Sequence, residues 1–90
     1  MRQVSEELAW LYDAHHSHHD EDLPFWRQQI DRQGEPFLEL GCGTGRVLLH
    51  LAQPSRPAYG LDKDRSMLKV LVANTPPPLR SSVRILQADL

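Results

Sequence analysis

Phe37-Leu38-Glu39-Leu40-Gly41-Cys42-Gly43-Thr44-Gly45-Arg46 is the stretch that decides the fold. A short, mostly apolar run enters it, glycines follow at alternate positions, and Val47-Leu48-Leu49 begins a helical pattern. Strand, glycine turn and helix in that order let main chain approach a ligand closely. Glycine suits such a turn because it has no Cβ and accepts positive φ. The helix N-terminus behind it is expected to offer unpaired N–H groups to whatever rests on the turn.

Downstream, Val47, Leu48, Leu51 and Ala52 repeat at helical spacing, and Pro54 and Pro57 stop that helix. Ala58-Tyr59-Gly60-Leu61-Asp62 reads as a second strand ending in an acid. A second helix is expected from Arg65 to Ala73, with Met67, Val70, Leu71 and Asn74 on one side. Pro76-Pro77-Pro78 ends it as a stiff loop. Val83 to Asp89 reads as a third strand with Asp89 at its carboxyl end. Strands alternating with helices argue for βαβ units and a parallel sheet.

Upstream, Gln3 to Ala14 reads as a helix whose core face is Val4, Leu8, Leu11 and Tyr12, with Trp10 off the stripe. His15, His18, His19 and Asp22 would share a face if the helix continued, a pattern able to bind a transition metal. The plainer reading is a polar connection between two helices. Asp22 then looks like an N-cap ahead of Pro24, and Gly34 like a C-terminal cap. Phe25, Trp26 and Ile30 make one stripe expected to pack on the sheet or its helices. The expected division is a helical segment over residues 1–34 and a βαβαβ unit over residues 35–90.

The 90 residues suffice for one small domain, and a formal charge of −2 argues against a general phosphate-binding surface. Nothing in the sequence points to nucleic acid. The single cysteine, Cys42, can form no internal disulfide. No apolar run reaches the ~20 residues of a membrane span, and no secretory signal is visible. A cytoplasmic protein with no membrane partner is the expectation.

A dinucleotide fingerprint, G-x-G-x-x-G, would need its third glycine at Arg46. The pattern is instead an acid followed by alternate glycines: Glu39, Gly41, Gly43, Gly45. This ELGCGTG stretch resembles motif I of the class I S-adenosylmethionine-dependent methyltransferases. Gly60-Leu61-Asp62-Lys63-Asp64-Arg65-Ser66-Met67-Leu68 and Gln87-Ala88-Asp89-Leu90 resemble the segments after the second and third strands of that family. The resemblance implies a Rossmann-like, doubly wound α/β fold, of which the first half is present here. It also implies S-adenosyl-L-methionine as cofactor. The methionine part would lie on Gly41, Cys42, Gly43 and Gly45, with Glu39 attracting the cofactor's amino group. Asp62 would bind ribose, Lys63 and Met67 would flank adenine, and Asp89 with the neighbouring Leu90 would meet the adenine edge. Tyr12-Asp13 matches in kind a pair that helps close the site in such enzymes.

Read from the residues alone, several of these positions have plainer uses. Asp62 could cap the next helix in competition with Asp64 or Ser66, and Met67 could simply fill core. Cys42 reads as a small residue tolerated beside the ligand, not a nucleophile. The methyl acceptor and any catalytic base are left open. The first strand belongs at the centre of the complete sheet in that family, so here its far edge would be unpaired and would invite pairing with another copy. Two other functions share parts of the pattern. One is a nicotinamide or flavin oxidoreductase, which leaves Asp89 unexplained. The other is a truncated, non-catalytic homologue serving as an interaction module.

Overall fold

The structure is a computed structural model that describes residues 2–16, 18–34 and 36–89. Two helices lead, α1 (Arg2–His16) and α2 (Leu23–Gln33). Then come β1 (Phe37–Leu40), α3 (Arg46–Leu51), β2 (Ala58–Asp62), α4 (Arg65–Asn74) and β3 (Val83–Gln87). The strands pair in parallel in the order β1-β2-β3. This is an α/β, partly Rossmann-like fold, as the sequence pattern requires.

Parallel register puts alternate residues on opposite faces. Phe37, Ala58 and Val83 align on the face covered by α3 and α4, and there Leu48, Leu68 and Leu71 build the core. Leu40, Leu61 and Leu86 align on the other face, beside Leu38 and Tyr59. That second face is bare: Leu40 is 59% exposed and Leu86 61%. It is an apolar band of the kind soluble sheets normally cover. Among the described residues β1 pairs only with β2, so its other edge is open. A 580 Å³ cavity lies along that edge, walled by Trp26 and Ile30 of α2, Leu38 and Leu40 of β1, and Arg46 and Val47 of α3.

The leading helices dock differently from expectation. α1 packs on α4 through Ala9, which is 2% exposed. Leu8 and Leu11, expected in the core, are 59% and 65% exposed, and Tyr12 also lies outside it. The reason is steric and polar. A small side chain at Ala9 lets the helices approach, and polar contacts flank it: Lys69 Nζ to Glu6 at 2.7 Å, and Asn74 Nδ2 to Asp13 at 3.0 Å. α2 packs on α3, burying Leu23 and Ile30, while Phe25 and Trp26 remain exposed. Arg56 of the α3–β2 connection reaches Asp31 of α2 at 2.8 Å.

Local signals are partly redirected. Asp22 occupies the N-cap position of α2 but makes no side-chain cap bond, because its carboxylate is held elsewhere. Asp64 does cap α4, accepting from the Ser66 and Met67 N–H groups. The proline run is not wholly irregular, since Pro77–Leu79 forms a short 3-10 turn. β3 ends at Gln87, leaving Asp89 just beyond the strand.

Candidate functional site

The glycine turn is laced to the end of β2. The N–H groups of Gly41 and Cys42 both donate to the Leu61 carbonyl, at 2.7 and 3.1 Å. Gly43 N–H donates to Asp62 Oδ2 at 2.8 Å, and Gly45 N–H to the Cys42 carbonyl at 3.0 Å. The parallel ladder thus continues past Leu40 and uses the turn's own amides. A phosphate cradle needs such amides aimed outward, so this turn is poorly suited to a diphosphate.

The glycines divide into two kinds. At Gly41 (φ +69°) a Cβ would meet nothing within 4 Å, so the missing side chain leaves open space for a ligand. At Gly45 (φ +90°) a Cβ would lie 2.9 Å from Leu71 Cγ, so this glycine serves packing. Gly60 on β2 also serves packing, since a Cβ there would lie 2.8 Å from both Cys42 Sγ and Leu48 Cδ2. Cys42 therefore turns its side chain into the core and offers the site only main chain. Burial, helped by the Glu39 and Asp62 charges, pushes its thiol up to about 12.

Two cavities meet at Gly41. One, of 240 Å³, is walled by Gly41, Asp62, Lys63 and Asp89. It unites the features that end β1, β2 and β3. Ala88 N–H donates to the Asp62 carbonyl at 3.0 Å, and Gln87 Nε2 to the Lys63 carbonyl at 3.2 Å, which fixes the loops around it. The other cavity, of 190 Å³, lies between the glycine turn and the carboxyl end of α1. Glu39, Gly41, Cys42 and Gly43 wall it on one side, and Tyr12, His16 and His19 on the other. Met67 is half-buried in the first turn of α4 and walls neither cavity. Leu90 lies outside the described residues.

Asp62 carries both the turn and the loop after it. Oδ2 takes the Gly43 N–H, and Oδ1 takes the Asp64 N–H at 2.8 Å. Each oxygen keeps a lone pair for a further donor. Glu39 is different. Its Oε1 is buried and has no hydrogen-bond partner. Burial pushes the carboxyl up to about 7, against the opposing pull of the Leu48 backbone and the Arg46 guanidinium. An orphaned carboxylate oxygen in a cavity wall matches a cationic donor.

Arg46 was noticed in the sequence only as a missing glycine. In the fold its guanidinium grips Asp22 in two places, Nη1 to Oδ1 at 2.7 Å and Nη2 to Oδ2 at 3.0 Å. Nη1 also donates to the His19 carbonyl at 2.5 Å. Trp26 Nε1 supports Asp22 at 3.1 Å. The Arg46 guanidinium holds the Asp22 carboxyl far below the usual carboxylate range. This clasp fixes the α1–α2 connection over the glycine turn. It also takes Asp22 away from any ligand set with the histidines, and the described residues contain no group of three His, Cys, Asp or Glu placed to hold a metal ion. His15, His16 and His19 pack ring against ring instead, with centroids 4.8 to 5.9 Å apart. Sequence reading missed His16 and His19 as cavity walls because their approach to the glycine turn depends on the Arg46 clasp.

Turn, cavities and strand-end acids define an α/β domain with a glycine-lined cleft at the carboxyl ends of its strands. A family model described as a methyltransferase domain matches residues 38–90, from β1 through β3. The chain belongs to the class I S-adenosylmethionine-dependent methyltransferase family. None of the curated proteins compared with the chain matches it. Among the described residues no helix is long and apolar enough to cross a membrane.

Proposed function

We propose that this chain is the cofactor-holding part of a cytoplasmic methyltransferase and that it binds S-adenosyl-L-methionine across the two cavities. One observation carries the reading. Gly41, which has no side chain, joins a cavity ending in Asp62 and Asp89 to one walled by Glu39, whose buried Oε1 has no partner. Those groups fit the cofactor. Asp62 would accept from the ribose hydroxyls, Asp89 from the adenine amine, and Glu39 from the ammonium of the methionine part.

When bound, the cofactor supplies an activated methyl on its sulfonium. The chain's own part is positioning. Asp62 fixes the turn and the ribose site together. Glu39, buried and short of a partner, binds a cation most strongly once it has lost its proton. Helix α1 lies over the amino-acid cavity and limits access of water.

Domain division follows the same logic, with residues 35–90 holding the cofactor and residues 1–34 covering it. A dinucleotide fits less well, because the turn's amides are consumed and Arg46 stands where a third glycine would be.

Isothermal titration with S-adenosylhomocysteine tests the reading. Saturable binding, undisturbed by NAD and lost in Asp62→Ala, is expected. Folded protein that binds neither compound would overturn it.

A second reading rests on the bare sheet face and the open β1 edge, which suit docking onto further β-structure, another copy included. Its test is the oligomeric state by light scattering across a concentration series.

A further inference from the structure

The amino-acid cavity has two chemically unlike walls. Glu39 stands on the β1 side, whereas His16 at the end of α1 and His19 in the following connection stand opposite. An α-amino acid end carries one charge of each sign, so an ammonium at Glu39 leaves a carboxylate to be received. Several nearby groups that could take it are engaged, although Tyr12, Thr44 and Val47 also wall the cavity. The N–H groups of Gly41, Cys42, Gly43 and Gly45 all have protein acceptors. The Arg46 guanidinium spends three of its N–H groups on Asp22 and the His19 carbonyl.

We infer that His16, at the end of α1, and His19, in the connection after it, form the carboxylate-recognition wall of this cavity. The inference rests on the cofactor reading above. It makes the N-terminal helix a part of the binding site as well as a cover. Neutral imidazole donates one N–H, and protonated imidazole donates two with charge assistance. The groups facing His16 are Tyr12, His15 and His19 around it and Arg46 from α3, with Glu39 across the cavity. Burial first, then the neighbouring histidines and Arg46, lower the His16 pKa, so a bound carboxylate favours proton uptake there.

The test compares two ligands by titration calorimetry on the full chain. S-adenosylhomocysteine carries the amino-acid end, and 5′-methylthioadenosine lacks it. A His16→Ala/His19→Ala variant is expected to bind S-adenosylhomocysteine about tenfold more weakly. Its affinity for methylthioadenosine should stay within about twofold of the parent, since it keeps the nucleoside cavity. In a Glu39→Gln background, where protonation of Glu39 cannot offset it, the advantage for S-adenosylhomocysteine should grow as the pH falls from about 8 to about 6. A His16→Gln/His19→Gln variant, which keeps bulk and polarity, should lose that pH-dependent part.

Unchanged S-adenosylhomocysteine affinity in the alanine variant would overturn the inference. So would an equal loss for both ligands, which would give the histidines a role in the fold alone. A parent that binds neither ligand would overturn the cofactor reading itself. Methylthioadenosine binding separates the two failures.

Discussion

The main-chain N–H of Gly43 donates to Oδ2 of Asp62 at 2.8 Å, so the glycine turn and the acid at the end of β2 are one unit. Oδ1 of the same carboxylate takes the Asp64 N–H. Two acceptor oxygens therefore face two amide donors. Asp62→Asn would turn an NH₂ toward one of them, setting donor against donor. It is expected to cost about 1–3 kcal/mol, despite the near-identical shape. Thermal unfolding checks this, and a midpoint equal to that of the parent would refute the role of Asp62 in bracing the turn.

Glycine substitutions should separate ligand space from packing. Gly60→Ala sets a Cβ against Cys42 Sγ and Leu48 Cδ2 and is expected to destabilise by about 1–3 kcal/mol through overpacking. Gly41→Ala meets no protein atom within 4 Å. Its positive φ costs about 1 kcal/mol, and its methyl enters the space shared by the two cavities. Denaturant melts paired with S-adenosylhomocysteine titrations should therefore show opposite rankings, Gly60→Ala worse for stability and Gly41→Ala worse for binding.

Glu39 gives a pH-dependent prediction whose sign follows from its raised pKa. The folded state holds the proton up to about pH 7, whereas an ordinary glutamate loses it near 4.5. Folded protein therefore binds more protons than unfolded between those values, and stability falls as the pH rises through them. Glu39→Gln removes the buried charge. At pH 8 it should raise the melting midpoint by roughly 4–8 °C, about 1 kcal/mol at this size. At pH 4 it should change little. The same variant should weaken S-adenosylhomocysteine binding at pH 8, because the acceptor for the ammonium is lost.

Cys42 should resist alkylation in the folded protein. Its thiol is buried and pushed up to about 12, so little thiolate exists at pH 8. Iodoacetamide labelling followed by mass spectrometry should track the unfolded fraction, with full modification in denaturant. Rapid labelling of native protein would contradict the inward placement of the side chain against Gly60.

What the sequence disclosed was chiefly local. Phe37 to Leu40 and Ala58 to Asp62 form strands as read, because apolar runs bounded by glycine and proline leave few alternatives. Asp62 and Asp89 meet at one cavity because parallel strands bring their carboxyl ends together. Contacts between distant segments were not visible. The apolar stripe of α1 read as core, yet the small Ala9 made the close approach to α4. Arg46 and Asp22 lie 24 residues apart, and no spacing rule joins them. Nor did the sequence show that the carbonyl of Leu61 takes the amides of Gly41 and Cys42 in the glycine turn.

The polar contacts that dock the leading helices have one further consequence. Residues 1–34 carry three Lys or Arg against seven Asp or Glu, whereas residues 35–90 carry seven against five. The ion pairs follow that division: Glu6 with Lys69, Asp22 with Arg46, Asp31 with Arg56. An acidic cover thus sits on a basic body, and mobile ions compete for that attraction over a Debye length of about 10 Å at 0.1 M salt. Added salt should therefore weaken the docking of α1 and α2, which Ala9, Leu23 and Ile30 also hold, more than it weakens the sheet with its apolar contacts.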